Sequence, residues 1–137
     1  MKPLVQERPY EMLGFAHSAE IIKFLPGEYF KRYRLAKAKL GITTRGILPD
    51  DEHSRKLHKE IYADVAARVR PVFRLIPKEQ FPFKGEITIY GSDKVSIADL
   101  EKDHLVGLII ENARFHQMMR MIFELSWKGA EGPYKHT

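Results

Sequence analysis

The residues of this 137-residue chain with the widest chemical range are six histidines: His17, His53, His58, His104, His116 and His136. A metal held on one helix face prefers ligands at i and i+3 or i+4. His53 and His58 stand five apart, and no histidine- or carboxylate-rich group has ligand spacing, so no metal is expected. Ser18, Ser54, Ser92, Ser96 and Ser126 all lie outside a Gly-x-Ser-x-Gly elbow. The glycines form neither a Gly-x-x-x-x-Gly-Lys cradle nor Gly-x-Gly-x-x-Gly, so no nucleotide cofactor is expected. Asp50-Asp51-Glu52 is the densest carboxylate group. At a strand end it could serve acid–base chemistry, but negative charge at a helix start also stabilises the helix dipole, and that is the preferred reading. The absence of cysteine removes disulfides, zinc–thiolate sites and thiol nucleophiles together. The expectation is a non-catalytic chain without a cofactor.

Binding remains. The net charge is +5 and the sequence pI about 9.4, which permits an anionic partner and equally serves solubility. Arg32, Arg34, Lys37 and Lys39 lie on one helical segment and could meet nucleic-acid phosphates. A solvated amphipathic face explains them as well. Tyr29 and Tyr33 belong to the apolar stripe of that segment, which leaves no aromatic platform for bases. Met118-Met119-x-Met121 could form an adaptable partner surface, but Met118 and Met119 fall on an apolar stripe, so core packing is expected. His116 falls on the polar side of the same helix.

The elements that must position these residues can be read from periodicity. Met12-Leu13-Gly14-Phe15-Ala16 suits a buried strand, with Ser18 placed to cap a helix after it. Pro26-Gly27 forces a restart, and a helix from Glu28 to Leu40 carries the stripe Tyr29, Tyr33, Ala36 and Leu40 before Gly41 ends it. Residues 42–48 read as a second strand. A helix from about Glu52 to Val69 follows, capped by Asp50 or Asp51, with Leu57, Ile61, Val65 and Val69 as its stripe. Strands follow at 71–76, 86–90, 94–98 and 104–110, with a hairpin turn at Gly91-Ser92-Asp93. Asn112 caps a last helix from Ala113 to about Lys128, whose stripe is Phe115, Met118, Met119, Ile122, Phe123 and Leu125. The order β-α-β-α-β-β-β-β-α predicts an α/β fold with a mixed parallel and antiparallel sheet flanked by helices. The length is that of one domain, with an irregular lead-in over 1–10, the domain proper over 11–131 and a tail over 132–137. No apolar run approaches the roughly 20 residues that span a bilayer, and the start lacks a signal core, so the cytoplasm is expected and no membrane partner.

The second half of the chain carries a resemblance. Arg74-Leu75-Ile76-Pro77-x-x-x-Phe81-Pro82-Phe83 precedes Glu86-Ile87-Thr88-Ile89-Tyr90 and Lys94-Val95-Ser96-Ile97. Val106-Gly107-Leu108-Ile109-Ile110-Glu111-Asn112 and Ile122-Phe123-Glu124-Leu125-Ser126-Trp127-Lys128 follow in order. Together these resemble the C-terminal domain of TrmB-like transcriptional regulators, over about residues 11–131. The resemblance implies a fold similar to one half of a phospholipase D, working as a sensing and dimerisation module with sugars or other metabolites as effectors. It implies a homodimer that touches DNA only through a helix-turn-helix reader, which this chain lacks and would borrow from elsewhere or from a longer chain. The phospholipase motif His-x-Lys-x-x-x-x-Asp, laid on the hairpin, meets Lys84, Glu86 and Gly91, so its nucleophile and phosphate-binding lysine are missing. The surviving cleft would lie at the carboxyl ends of the parallel strands and gather His17, Ser18, Asp50, Lys84 and Glu86 around a ligand.

Overall fold

The computed structural model describes residues 10–22, 27–56, 65–101 and 104–130. Six strands form one sheet: β1 (Glu11–Ala16), β2 (Thr43–Pro49), β3 (Val72–Ile76), β4 (Gly85–Tyr90), β5 (Lys94–Glu101) and β6 (His104–Glu111). The helices are α1 (Ser18–Ile22), α2 (Gly27–Lys39), α3 (Glu52–Lys56) and α4 (Ala113–Gly129). The spatial order is β3-β2-β1-β4-β5-β6. The first three strands are parallel and the others antiparallel, so this is the mixed α/β sheet that the pattern predicts. Parallel neighbours need crossovers, and the segments holding α1, α2 and α3 supply them. Antiparallel neighbours need only turns. Gly91 makes one at φ 59°, in the left-handed region that glycine enters without a Cβ clash.

Side-chain alternation sorts each strand between two faces. On one face Leu13, Ile47, Ile89 and Val95 pack beneath Phe123 and Trp127 of α4. The Phe123 ring meets Phe15 edge-on at 5.5 Å and stacks on Trp127 at 5.7 Å. On the other face Met12, Ile42 and Tyr90 form one cluster, and Leu48, Phe73 and Leu75 a second. Full burial of an aliphatic or phenyl side chain contributes about 1.5–3 kcal/mol, so the α4 face is the strongest single seam.

Local signals explain the element ends. Asn112 Oδ1 accepts from Phe115 N at 2.9 Å and Asp51 Oδ1 from Ser54 N at 2.8 Å, which caps α4 and α3. Gly41, at φ 74°, follows α2 as expected of a C′ glycine. Ser18 departs from the expectation: it is the first residue of α1, and His17 O takes the helix's first amides, from Glu20 and Ile21.

Three helical expectations need correction. The helix expected to run to Val69 is α-helical at Glu52–Lys56, whereas Ala67–Val69 is a 3-10 turn. Leu57 and Ile61 lie outside the described residues. Arg70 precedes Pro71, which disfavours helical backbone, and it sits extended at ψ 135°. Its guanidinium then folds back to donate to Val65 O at 2.7 Å.

On α2 the expected apolar stripe is shallow. Tyr29, Ala36 and Leu40 are exposed, while Lys37 is buried. Its alkyl stem crosses apolar surface and its Nζ donates to Thr44 Oγ1 at 2.5 Å. On α4 the expected stripe splits: Phe123 is buried and Met119 partly so, but Met118, Ile122 and Leu125 face outward with Met121. His116, expected on the polar side, is buried.

Candidate functional site

Both parallel strands β1 and β2 run out into a His-Ser pair, and the fold brings the two pairs together. After Ala16 the chain turns at His17, whose amide donates to Gly85 O at 2.8 Å. Its ring stands edge-on to Phe81, centroids 6.0 Å apart. Among the described residues His17 Nδ1 is buried and has no hydrogen-bond partner. Ser18 follows, and its Oγ lies 3.0 Å from His53 Nδ1 and 3.3 Å from Ser54 Oγ. His53 and Ser54 come from α3, which the Asp51 cap fixes at the end of β2. Ser54 is buried.

The electrostatics disfavour charge on His53. Burial pushes the His53 imidazole below its ordinary value, and nearby His17 adds to the effect, while the Asp51 carboxylate pulls the other way. Two carboxylates border the cluster, and both are committed. Asp51 accepts the amide of Ser54, and Asp50 Oδ1 accepts from Arg55 Nε at 2.7 Å. What remains is a set of donors and acceptors: two imidazoles and two hydroxyls.

Of the residues expected around a ligand, His17 and Ser18 stand in the cluster and Asp50 stands at its border. Glu86 pairs with Ala16 in the sheet, one residue from His17; burial pushes the Tyr33 phenol up, and the Glu86 carboxylate adds to that. Lys84 is exposed, and its carbonyl accepts from Leu100 N. The sequence reading weighed His53 and Ser54 only for a metal and a nucleophile and did not place them at this site. The signal was the His-Ser dipeptide itself, which occurs at 17–18 and at 53–54, each time just past a parallel strand. Among the described residues no group of three His, Asp or Glu is arranged to hold a metal ion.

The four basic residues of α2 do not share one exposed face. Arg32 and Lys39 are exposed and Arg34 half-buried, but Lys37 points inward to Thr44. Phosphate contact through Lys37 would cost the hydrogen bond that holds it.

The topology defines a class: a three-layer α/β/α domain whose parallel half turns at β1 into an antiparallel meander. Among solved structures the chain is similar to TrmBL2, an archaeal chromatin protein whose structure shows a novel mode of DNA binding. The TM-score is 0.60 at 17% identity, over 92% of this chain and 45% of that one, so the likeness is one of fold and the chain spans less than half of its neighbour. No family model matches the sequence, and no curated protein matches it.

Proposed function

We propose that this domain is a non-catalytic sensor that binds a small hydroxylated metabolite, self-associates, and passes its state to a DNA reader. The observation that carries the reading is the meeting of His17-Ser18 with His53-Ser54 at the carboxyl ends of two parallel strands, where α/β folds bind ligands. A neutral imidazole and a hydroxyl can each donate and accept, which matches the hydroxyls of a sugar. A phosphate would look for fixed positive charge, and the cluster offers none. The phospholipase chemistry has lost its histidine and lysine to Lys84 and Glu86. The link to DNA comes from the TrmB-like resemblance and from the shared fold of TrmBL2, itself a DNA-binding chromatin protein. A cytoplasmic site of action goes with that role, and no helix among the described residues is long and apolar enough to cross a membrane.

The test is a thermal-shift screen of sugars, nucleotides and phosphorylated metabolites. A ligand of the native state stabilises it by mass action, by about 2.7 kcal/mol at a hundred times its dissociation constant, and so raises the unfolding midpoint. A neutral sugar should raise the midpoint, and Ser18→Ala and His53→Ala should each abolish the rise. A screen with no hit, or a hit that survives both substitutions, defeats the reading. Salt-sensitive duplex binding lost on reversing Arg32 and Lys39 would replace it with direct nucleic-acid binding by α2.

A further inference from the structure

Ser54 Oγ, Ser18 Oγ and His53 Nδ1 form a chain of hydrogen-bonding atoms, with steps of 3.3 and 3.0 Å. The heavy atoms alone do not say which partner donates at either step, but the protons can be counted. Each hydroxyl carries one, and a neutral imidazole carries one on either ring nitrogen. Three protons serve two hydrogen bonds, so one is left over, and its place decides what the site offers a ligand. It can stay on Ser54 Oγ, on Ser18 Oγ or on His53 Nε2.

Two physical arguments choose among the three. Ser54 is 3% exposed, and the Asp51 carboxylate holds its amide at 2.8 Å. Among the described residues its hydroxyl has one hydrogen-bond partner, Ser18 Oγ. A proton left on Ser54 would be buried without an acceptor, which disfavours that order at least about fivefold. Ser54 therefore donates to Ser18. A proton left on Ser18 would make that hydroxyl accept from both neighbours. A hydroxyl that accepts on one side and donates on the other is polarised by both bonds, which strengthens each. Ser18 therefore donates onward to His53 Nδ1, and the leftover proton sits on Nε2. His53 is half-buried with Nδ1 turned to Ser18, so Nε2 is the ring nitrogen that a ligand can meet. We infer that Ser54, acting through Ser18, fixes His53 in the Nε2–H tautomer and so makes it a hydrogen-bond donor to an acceptor oxygen of the ligand. The inference rests on the ligand site of the reading above and not on self-association. It narrows the ligand class: a hydroxyl, ether or carbonyl oxygen fits opposite His53, and an ammonium group does not.

Nitrogen NMR of the imidazoles in the full chain tests this at about pH 8, well above the ordinary imidazole value, with the His53 signals assigned by their loss in His53→Gln. In the wild type Nδ1 of His53 should resonate as an unprotonated nitrogen and Nε2 as a protonated one. Ser54→Ala removes the buried end of the chain and should move both resonances toward the average of the two tautomers. Ser54→Thr keeps the hydroxyl and should restore them. Ser18→Ala breaks the chain in its middle and should act as Ser54→Ala does, so the test stands even if the buried substitution unfolds the domain. A cooperative thermal transition verifies folding in each variant. A sugar from the screen above that binds should slow solvent exchange of the Nε2 proton. The inference is overturned by a wild type with its proton on Nδ1, by a folded Ser54→Ala or Ser18→Ala variant that keeps the wild-type tautomer, or by a bound sugar that leaves Nε2 exchange unchanged. A screen with no sugar hit defeats the sensor reading instead, and the tautomer then decides the role of Ser54 by itself. A sugar hit beside an Nδ1–H tautomer leaves the sensor reading standing and removes the inference.

Discussion

The two edges of the sheet are built on opposite plans. β3 has five residues between Pro71 and Pro77 and carries a charge in its middle, Arg74. That guanidinium lies 4.3 Å from the Trp127 ring centroid, and its Nη1 donates to Trp127 O at 2.5 Å, so the end of α4 folds over this side of the sheet. Arg45 on the next strand lies against the same indole from 5.3 Å and holds Glu11 and Glu124. β6 has eight residues, no proline and no charge between its ends. The described residues thus pack α4 and two arginines against the β3 side and leave the outer edge of β6 unpaired. Among the described residues most exposed large apolar side chains gather at β6 and α4, whereas on β3 Val72 alone is exposed, beside an indole and two arginines, and the rest lie at α2.

If the closed edge depends on Trp127, its removal should cost the most. Trp127→Ala deletes a buried indole that stacks on Phe123 and sits against two guanidinium groups, and a loss of about 3–5 kcal/mol is expected in chemical denaturation. A loss below about 1 kcal/mol would show that the β3 edge is sealed some other way. Arg74→Ala keeps the indole but removes its cation–π contact and the donor to Trp127 O. The same measurement should give a smaller loss, about 1–2 kcal/mol, since one charged hydrogen bond and one stacked cation are gone. Solvent-exposed Ile109 at the open edge should be nearly neutral for the monomer when changed, within about 0.5 kcal/mol, which contrasts the two edges directly.

Much of this plan could be read from residue order. Alternation and turn residues give all six strands, because Met12-Leu13 and Ile87-Thr88-Ile89 satisfy a period of two, and Gly91 can only be a turn. The cap at Asn112 was equally legible. The α4 burial was not. Phe115, Met119 and Phe123 make one apolar stripe and Met118, Ile122 and Leu125 another beside it, and periodicity cannot say which of two adjacent stripes meets the sheet. Lys37 was misplaced for a related reason: a lysine counts as polar in a pattern, although its four methylenes can be buried once Thr44 Oγ1 accepts a hydrogen bond from its ammonium group. The His-Ser cluster was half legible. The rule that ligands gather at carboxyl ends of parallel strands pointed to His17, Ser18 and Asp50. The pairing of Ser18 with His53 depends on where the Asp51 cap turns α3, which is a tertiary fact.

The smallest effect separates the two sides of the molecule by pH. His116 is buried near the β4–β5 turn, and burial lowers its imidazole below the ordinary value, with Arg120 acting in the same sense and Asp93 against it. His53 is lowered by burial as well. A histidine depressed in the folded state binds its proton more readily when unfolded, so its contribution is complete above pH 6.5 and is lost as pH falls below that value toward the folded one. Glu124 behaves as a depressed carboxylate: the hydrogen bond from Arg45 lowers it, so its contribution is present above about pH 4.5 and disappears only as pH falls further. The thermal midpoint should therefore decline in two steps between pH 8 and pH 3. His116→Gln should shrink the upper step and leave the lower one, and Glu124→Gln should do the reverse. Each step is small, because Glu124 is partly exposed and solvent screens its ion pair. A single step that both substitutions reduce would mean that the two groups titrate over the same range, and would erase the pH distinction between the two sides while leaving their geometry intact.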